Sequence, residues 1–222
     1  RAETIAYDDY DALGGEAAWK KINSRETKFE IDFENQGVKG SGTSYAKFPN
    51  LTGTDTNLTA LGKPIGTVFE YFDGTNGGQT ASFAPSEIYT GQRLEDVKYE
   101  NDFYGLLNWK NNLKSAEVTG IGKVGEEDVY VVKFTPEKAS EYTYFISQKT
   151  FLPLKRTSVI VSSTSSQKFP ITQIFSDYRA VDGVMIPFKT VTASPSMGDV
   201  VTYLKNVKHN VSIEDAKFKP KK

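Results

Sequence analysis

The chain has 222 residues, enough to bury roughly 70% of its unfolded surface in one core. It carries no cysteine, which excludes disulfides, thiol catalysis and thiolate metal sites. Lys and Arg number 27 against 28 Asp and Glu; this net charge of −1 gives no field to draw in nucleic acid or an anionic membrane. There is no apolar run of the ~18 residues needed to cross a bilayer. The first residue is Arg1 rather than Met, as expected of a processed or truncated chain, and a removed export signal is compatible with it. Phe, Tyr and Trp make up 13% of the chain, a content that suits either β-strands or an aromatic-lined cavity.

Taken in order, Tyr7 to Ile22 has helical spacing through Tyr10, Leu13, Ala17, Ala18 and Ile22. Gly14-Gly15 should end a first helix and let a second begin near Glu16, with Trp19 and Ile22 facing inward. From Arg25 the period becomes two: Phe29, Ile31 and Phe33 alternate with Lys28, Glu30 and Asp32, and Asn35-Gln36-Gly37 turns the chain into Val38 to Phe48. The Thr-rich segment Leu51 to Lys63 reads as a loop or ragged edge. Thr67 to Phe72 and Gln79 to Phe83 form a second hairpin around the Gly-rich stretch Asp73 to Gly78. That stretch lacks the spacing of a calcium loop, and turn chemistry accounts for it. Ser86 to Asn112 reads as a helical insert broken at Asn101-Asp102.

Further strands are expected at Glu117 to Val124, Val129 to Phe134, Tyr142 to Ser147, Leu154 to Ser162, Phe169 to Arg179, Val184 to Thr192 and Asp199 to His209. The strongest local signal is Asp182-Gly183 between two β-branched runs, a type I′ hairpin in which Val184, Ile186 and Phe188 should be buried. Pro187 cannot donate a ladder hydrogen bond, so it needs an edge or a bulge. Ser212 and Asp215 stand at capping-box spacing before a last helical turn near Phe218. The total is about eleven mostly hairpin-linked strands with no βαβ alternation, a mainly β (α+β) chain built on one large antiparallel sheet.

These pieces together resemble the LolA/LolB-like superfamily of envelope lipoprotein-sorting and lipoprotein-binding proteins. The resemblance lies in Ala12-Leu13-Gly14-Gly15-Glu16-Ala17, in Lys47-Phe48-Pro49-Asn50, in Asp177-Tyr178-Arg179 with Val181-Asp182-Gly183-Val184 and Ile186-Pro187, and in Asn210-Val211-Ser212-Ile213 with Phe218. It covers nearly the whole chain in order. It implies one domain over residues 1–222, a strongly curved sheet forming a half-open barrel, and helices covering the concave face. It also implies a periplasmic or otherwise exported protein that binds lipid or lipoprotein acyl chains, or acts as a sensor or accessory module. The carrier's lid-latching arginine has no clear counterpart, Arg25 being the candidate.

Catalysis finds little support. His209 is the only histidine and reads as a surface or capping residue; no Gly-x-Ser-x-Gly elbow or phosphate-binding glycine loop occurs. The acidic groups Asp8-Asp9-Asp11, Glu95-Asp96 and Glu126-Glu127-Asp128 read as solvated charge. No metal, cofactor or nucleic-acid partner is expected. The triplets at Asn50, Asn57 and Asn210 fit the glycosylation pattern, relevant only in a eukaryotic secretory route.

The expected activity is therefore non-enzymatic binding by a monomer. Acyl chains would sit in an apolar cavity lined by Trp19, Phe69, Leu94, Phe103, Leu107, Trp109, Phe175 and Ile186, with Leu51 to Lys63 as a flexible mouth. The alternative is a structural or interaction module of the same fold, with a filled core and envelope protein partners held at its strand edges.

Overall fold

Alternating apolar and polar side chains, punctuated by Gly, Asn and Asp turns, produce one antiparallel sheet of thirteen strands. A computed structural model describes residues 2–105, 112–195 and 198–220. Two helices come first, α1 (Ala2–Ala12) and α2 (Gly15–Trp19). Six strands follow: β1 (Ser24–Phe33), β2 (Val38–Lys47), β3 (Leu51–Ala60), β4 (Lys63–Phe72), β5 (Gly77–Ala81) and β6 (Ala84–Ile88). After helix α3 (Gly91–Glu100) come β7 (Leu113–Val124), β8 (Glu127–Pro136), β9 (Tyr142–Ser147), β10 (Pro153–Val161), β11 (Lys168–Val181), β12 (Val184–Ser194) and β13 (Gly198–His209). A 3-10 turn at Asp215–Phe218 ends the described chain.

The order across the sheet is β6-β5-β4-β3-β2-β1-β13-β12-β11-β10-β9-β8-β7. Every neighbouring pair except β1 and β13 is consecutive in sequence, and the sheet is not closed. Its two edges, β6 and β7, are successive in the chain, so the α3 connection runs from one edge to the other.

Two strands go beyond the eleven expected. Leu51–Ala60 is not a loop: β3 is paired along its length with both β2 and β4. Its Thr52, Thr54 and Thr56 are β-branched and suit a pleated surface without supplying an apolar face. The start of the expected helical insert is also a strand, β6, leaving α3 as its only described helix. The closing turn forms without the capping box: Glu214 precedes it with no side-chain cap, and Asp215 accepts from Lys47 Nζ at 3.3 Å instead.

At the β11–β12 hairpin, Asp182 and Gly183 have φ of 51° and 85°, the two positive values a type I′ turn requires. Val184, Ile186 and Phe188 are buried on one face of β12. β13 pairs only with Lys189–Ser194, so it parts from β12 before Pro187, where a missing N–H costs no ladder bond there. The α1–α2 corner occupies this part of β12. Met185 N–H donates to Leu13 O at 3.0 Å, and Trp19 Nε1 donates to the same carbonyl at 3.2 Å. Gly14 (φ 121°) lies so close that a Cβ there would stand 2.5 Å from Gly183 O. Two of the motifs that carry the resemblance, the Leu-Gly-Gly corner and the Asp-Gly hairpin, therefore dock on each other. Around that joint Tyr10, Trp19, Ile22, Val184, Ile186 and Phe188 form one core cluster, each large apolar side chain contributing roughly 1.5–3 kcal/mol by burial.

The other end of α1 packs elsewhere: Ile5 and Ala6 meet Val132, Phe134 and Ile146 of β8 and β9. α3 touches strands from both halves of the sheet. Its Val97 packs on Phe72 of β4 and on Tyr89, and Arg93 Nη2 lies 3.5 Å from Glu70 Oε1 of β4. Its other side meets β9 and β10, through Tyr99 Oη to Tyr142 Oη at 2.8 Å and through Arg156 Nη2 to Glu100 Oε1 at 3.1 Å.

Candidate functional site

A cavity of about 480 Å³ lies where α1, α2 and the C-terminal end of α3 meet the sheet. Strands from both halves line it: Arg25 of β1, Ala46 of β2 and Thr52 of β3, together with Phe134 of β8, Tyr142 and Tyr144 of β9 and Arg156 of β10. The helical side contributes Ala6, Asp9 and Tyr10 of α1, Trp19 of α2, Tyr99 and Glu100 of α3, and the turn Asn101 to Gly105 that follows. The walls are mainly aromatic, and the lining also holds two arginines and three carboxyls. A second hollow of about 370 Å³ shares Arg25 and Ala46 with the first. It continues over β1, β2, β3 and β13 along Thr27, Phe29, Ile31, Ser44, Thr54, Thr202 and Leu204.

Local pattern explains how polar groups come to be buried here. Ile5, Ala6, Asp9, Tyr10 and Leu13 recur at helical spacing on the covered stripe of α1, which carries Asp9 inward at 5% exposure; Asp9 is not solvated. Desolvation pushes its carboxyl pKa up to about 8, so the acid is largely protonated at neutral pH. Tyr10 is pushed up to about 12, first by burial and then by Glu16 and Asp11. Tyr144 stands opposite Arg156 in the β9–β10 register, and burial raises its pKa. Three buried side-chain atoms among the described residues lack a hydrogen-bond partner: Asp9 Oδ1, Tyr10 Oη and Arg156 Nε. All three belong to residues lining this one cavity.

Arg25 keeps some exposed surface, yet its guanidinium is enclosed enough that desolvation pulls its pKa down to about 10. It lies over the Trp19 ring at 5.4 Å, and its Nε donates to His209 Nε2 at 3.2 Å. That bond leaves the ring proton on Nδ1, which donates to Asp182 Oδ2 at 3.0 Å. The His209 side chain is 1% exposed, so it is an enclosed relay between Arg25 and the hairpin tip rather than a surface cap. Burial and then Arg25 lower its pKa, keeping the imidazole neutral at pH 7.

Of the residues expected to line a cavity, Trp19 and Phe103 do so. Ile186 is buried against Trp19 in the adjoining core, with Phe103 packed on the same cluster. Phe175 lies beside the cavity, its ring 6.4 Å from that of Tyr144. Leu94 packs instead on the cluster of Phe72, Tyr89 and Val97. Phe69 stacks on Tyr71, and strand alternation turns both away from the face that Phe72 presents to α3. Leu107 and Trp109 lie outside the described residues. The Leu51 to Lys63 segment, expected to be a flexible mouth, is strand over Leu51–Ala60. Sequence reasoning missed Asp9, Tyr10, Tyr99, Tyr142, Tyr144 and Arg156; for Asp9 the position on the α1 stripe was the available signal.

Among the described residues no group of three or more His, Cys, Asp or Glu side chains could hold a metal ion. No described helix is long and apolar enough to cross a membrane.

No protein-family model matches the chain, and no curated protein is significantly similar to it. Solved structures are similar over its whole length. A LolA superfamily protein from Nitrosomonas europaea superposes with a TM-score of 0.59 at 14% identity, covering 99% of this chain and 97% of that one. The fold is LolA-like. A DUF1329 family protein from Desulfovibrio piger gives a TM-score of 0.61 at 12% identity over 98% and 97% of the two chains. A Vibrio parahaemolyticus domain named for outer membrane lipoprotein sorting gives 0.59 at 11% identity, with the same coverage. The LolA-like architecture thus persists where little sequence is shared.

Proposed function

We propose that this chain is a single-domain, non-enzymatic, monomeric envelope protein that holds lipid or lipoprotein acyl chains between a curved sheet and its helices. The observation that carries the reading is the pair of hollows, together about 850 Å³, that meet at Arg25 and Ala46. That space suits a chain-like ligand better than a packed core does. The reach of α3 supports curvature: β4 and β10 are seven strand spacings apart, roughly 34 Å in a flat sheet, whereas a ten-residue helix is about 15 Å long. A short helix that touches both strands favours a sheet bent around it as a half-open barrel. The neighbour named for lipoprotein sorting supports the same reading and a periplasmic location. Native mass spectrometry of freshly purified protein, with organic extraction of whatever dissociates, tests it. A stoichiometric lipid adduct is expected; a bare mass together with no uptake of added amphiphile would overturn it.

A second reading has its own observation. Phe83, Ile88, Val118 and Ile121 are exposed large apolar residues on or beside the edge strands β6 and β7, each paired on one side only among the described residues. Such edges suit strand addition by a protein partner.

A further inference from the structure

We infer that the cavity receives the acidic head of an amphiphile, a carboxylate or phosphate held between Arg25 and Arg156, while the alkyl chain runs along the hollow over Phe29, Ile31 and Leu204. The inference rests on the acyl-binding reading and specifies the head that the reading leaves open.

The charges in the lining favour an anion. Arg156 already has a carboxylate partner in Glu100, and its Nε–H is buried without a hydrogen-bond partner. Arg25 has only the neutral His209 ring, and no carboxylate among the described residues forms an ion pair with it. An enclosed guanidinium without a counter-charge is costly unless something anionic arrives. Asp102 is engaged elsewhere, accepting from Tyr104 N–H at 3.1 Å and from Asn112 Nδ2 at 3.3 Å. Of the three unpartnered atoms, Arg156 Nε can only donate and Tyr10 Oη donates most readily, while a protonated Asp9 carboxyl offers one O–H donor beside an acceptor oxygen. Arg25, Arg156, Tyr10 and Asp9 all line the one cavity with side chains able to donate to an oxyanion, and bonds to an ionised partner are the strong kind. Arg25 lies where the polar cavity meets the Thr-, Phe- and Ile-lined hollow, the place for the junction of head and chain.

The head should be sensitive to alkaline pH. Asp9 faces Tyr144 of β9 and Tyr178 of β11, whose buried phenols stay protonated, so Asp9 is the group that gains charge as pH rises through about 8. Glu100 is paired with Arg156 and Asp102 accepts from Tyr104 N–H and Asn112, while Arg25 and Arg156 keep their charge there. Once ionised, Asp9 repels the bound anion.

The test is isothermal titration of the full chain with dodecanoate, dodecyl phosphate, dodecanol and dodecylammonium below their aggregation concentrations. At about pH 6.5 one or both acids should bind about tenfold or more tightly than dodecanol, as expected of charge-assisted hydrogen bonds. Preference between the two acids identifies the head. The advantage should shrink above pH 8 in the native chain but not in Asp9→Asn, and Arg25→Met should lose it while still taking up dodecanol. Equal binding of dodecanol, or preference for dodecylammonium, would overturn the acidic head and leave acyl binding standing. Failure of all four to bind would overturn both.

Discussion

Asp9 makes the fold's stability depend on pH in a direction opposite to that of an ordinary paired carboxylate. The native state holds a proton on Asp9 up to about pH 8, whereas the unfolded chain releases it near 3.8. Stability is therefore lost as pH rises between those values, at about 1.4 kcal/mol per pH unit and on the order of 5 kcal/mol in all. Asn at the same position keeps the shape and a donor but cannot ionise. Asp9→Asn should thus gain roughly 3 kcal/mol on the native chain between about pH 5 and pH 7.5. That is a gain of roughly 6–12 °C in Tm for a chain of this size. Thermal unfolding followed by circular dichroism in steps from about pH 5 to 8.5 gives the difference curve, in which every other titrating group cancels. Parallel Tm–pH curves would refute a buried, unpartnered Asp9 and with it the polar cavity.

The docked glycines give a graded pair: Gly14→Ala adds a Cβ 2.5 Å from Gly183 O at a φ of 121° and should cost roughly 2–5 kcal/mol, while Gly183→Ala meets only Ala18 at 3.5 Å and should cost about 1 kcal/mol by urea unfolding. Equal costs would show that the corner does not seat on the hairpin. At Gly53 a new Cβ would stand 1.8 Å from Lys217 O, so Gly53→Ala should lift the 3-10 turn and expose Phe218, seen as faster hydrogen exchange and proteolysis of residues 214–220; unchanged protection would contradict that packing. His209 should titrate below 6.5 in an NMR titration, so its protonation weakens the fold as pH falls through that region; a midpoint above 6.5 would mean that Asp182 outweighs burial and Arg25.

What could be read from the sequence was what local chemistry decides. Asp182-Gly183 announces its hairpin because few residue pairs tolerate two positive φ values, and alternation in β12 then assigns Val184, Ile186 and Phe188 to the interior. β3 carries no alternation of apolar against polar residues. The β3 residues facing the hollows are Thr52 and Thr54, so neither side of the strand looked buried. The helical insert was read too long for a related reason: Pro85 and Ser86 look like a helix start, yet register with β5 makes Ala84–Ile88 a strand. The site was harder. Asp9 was judged by its sequence neighbours Asp8 and Asp11, although helical spacing places it with Ile5, Ala6, Tyr10 and Leu13. Arg156 and Tyr144 meet only through the β9–β10 register, and Arg25 meets His209 across 184 residues of chain. No periodicity within a segment encodes either pairing.

The polar groups in the cavity bear on what the fold is for. A hollow meant only for hydrocarbon is most stable when lined with hydrocarbon, and α1 and β10 are well able to present Leu or Phe at positions 9, 10 and 156. Each buried polar atom left without a partner instead costs the folded state about 1–3 kcal/mol, and three such atoms among the described residues belong to side chains around one space. Against a total stability of only about 5–15 kcal/mol, that is too large a sacrifice to attribute to packing. A ligand that supplies the missing partners offsets that cost, so ligand and fold should stabilise each other: a saturating acidic amphiphile should raise Tm more than an equally saturating alcohol, and most of that difference should vanish in Arg25→Met. A neutral chain that stabilised the protein as strongly as an acidic one would leave these polar atoms unexplained by binding.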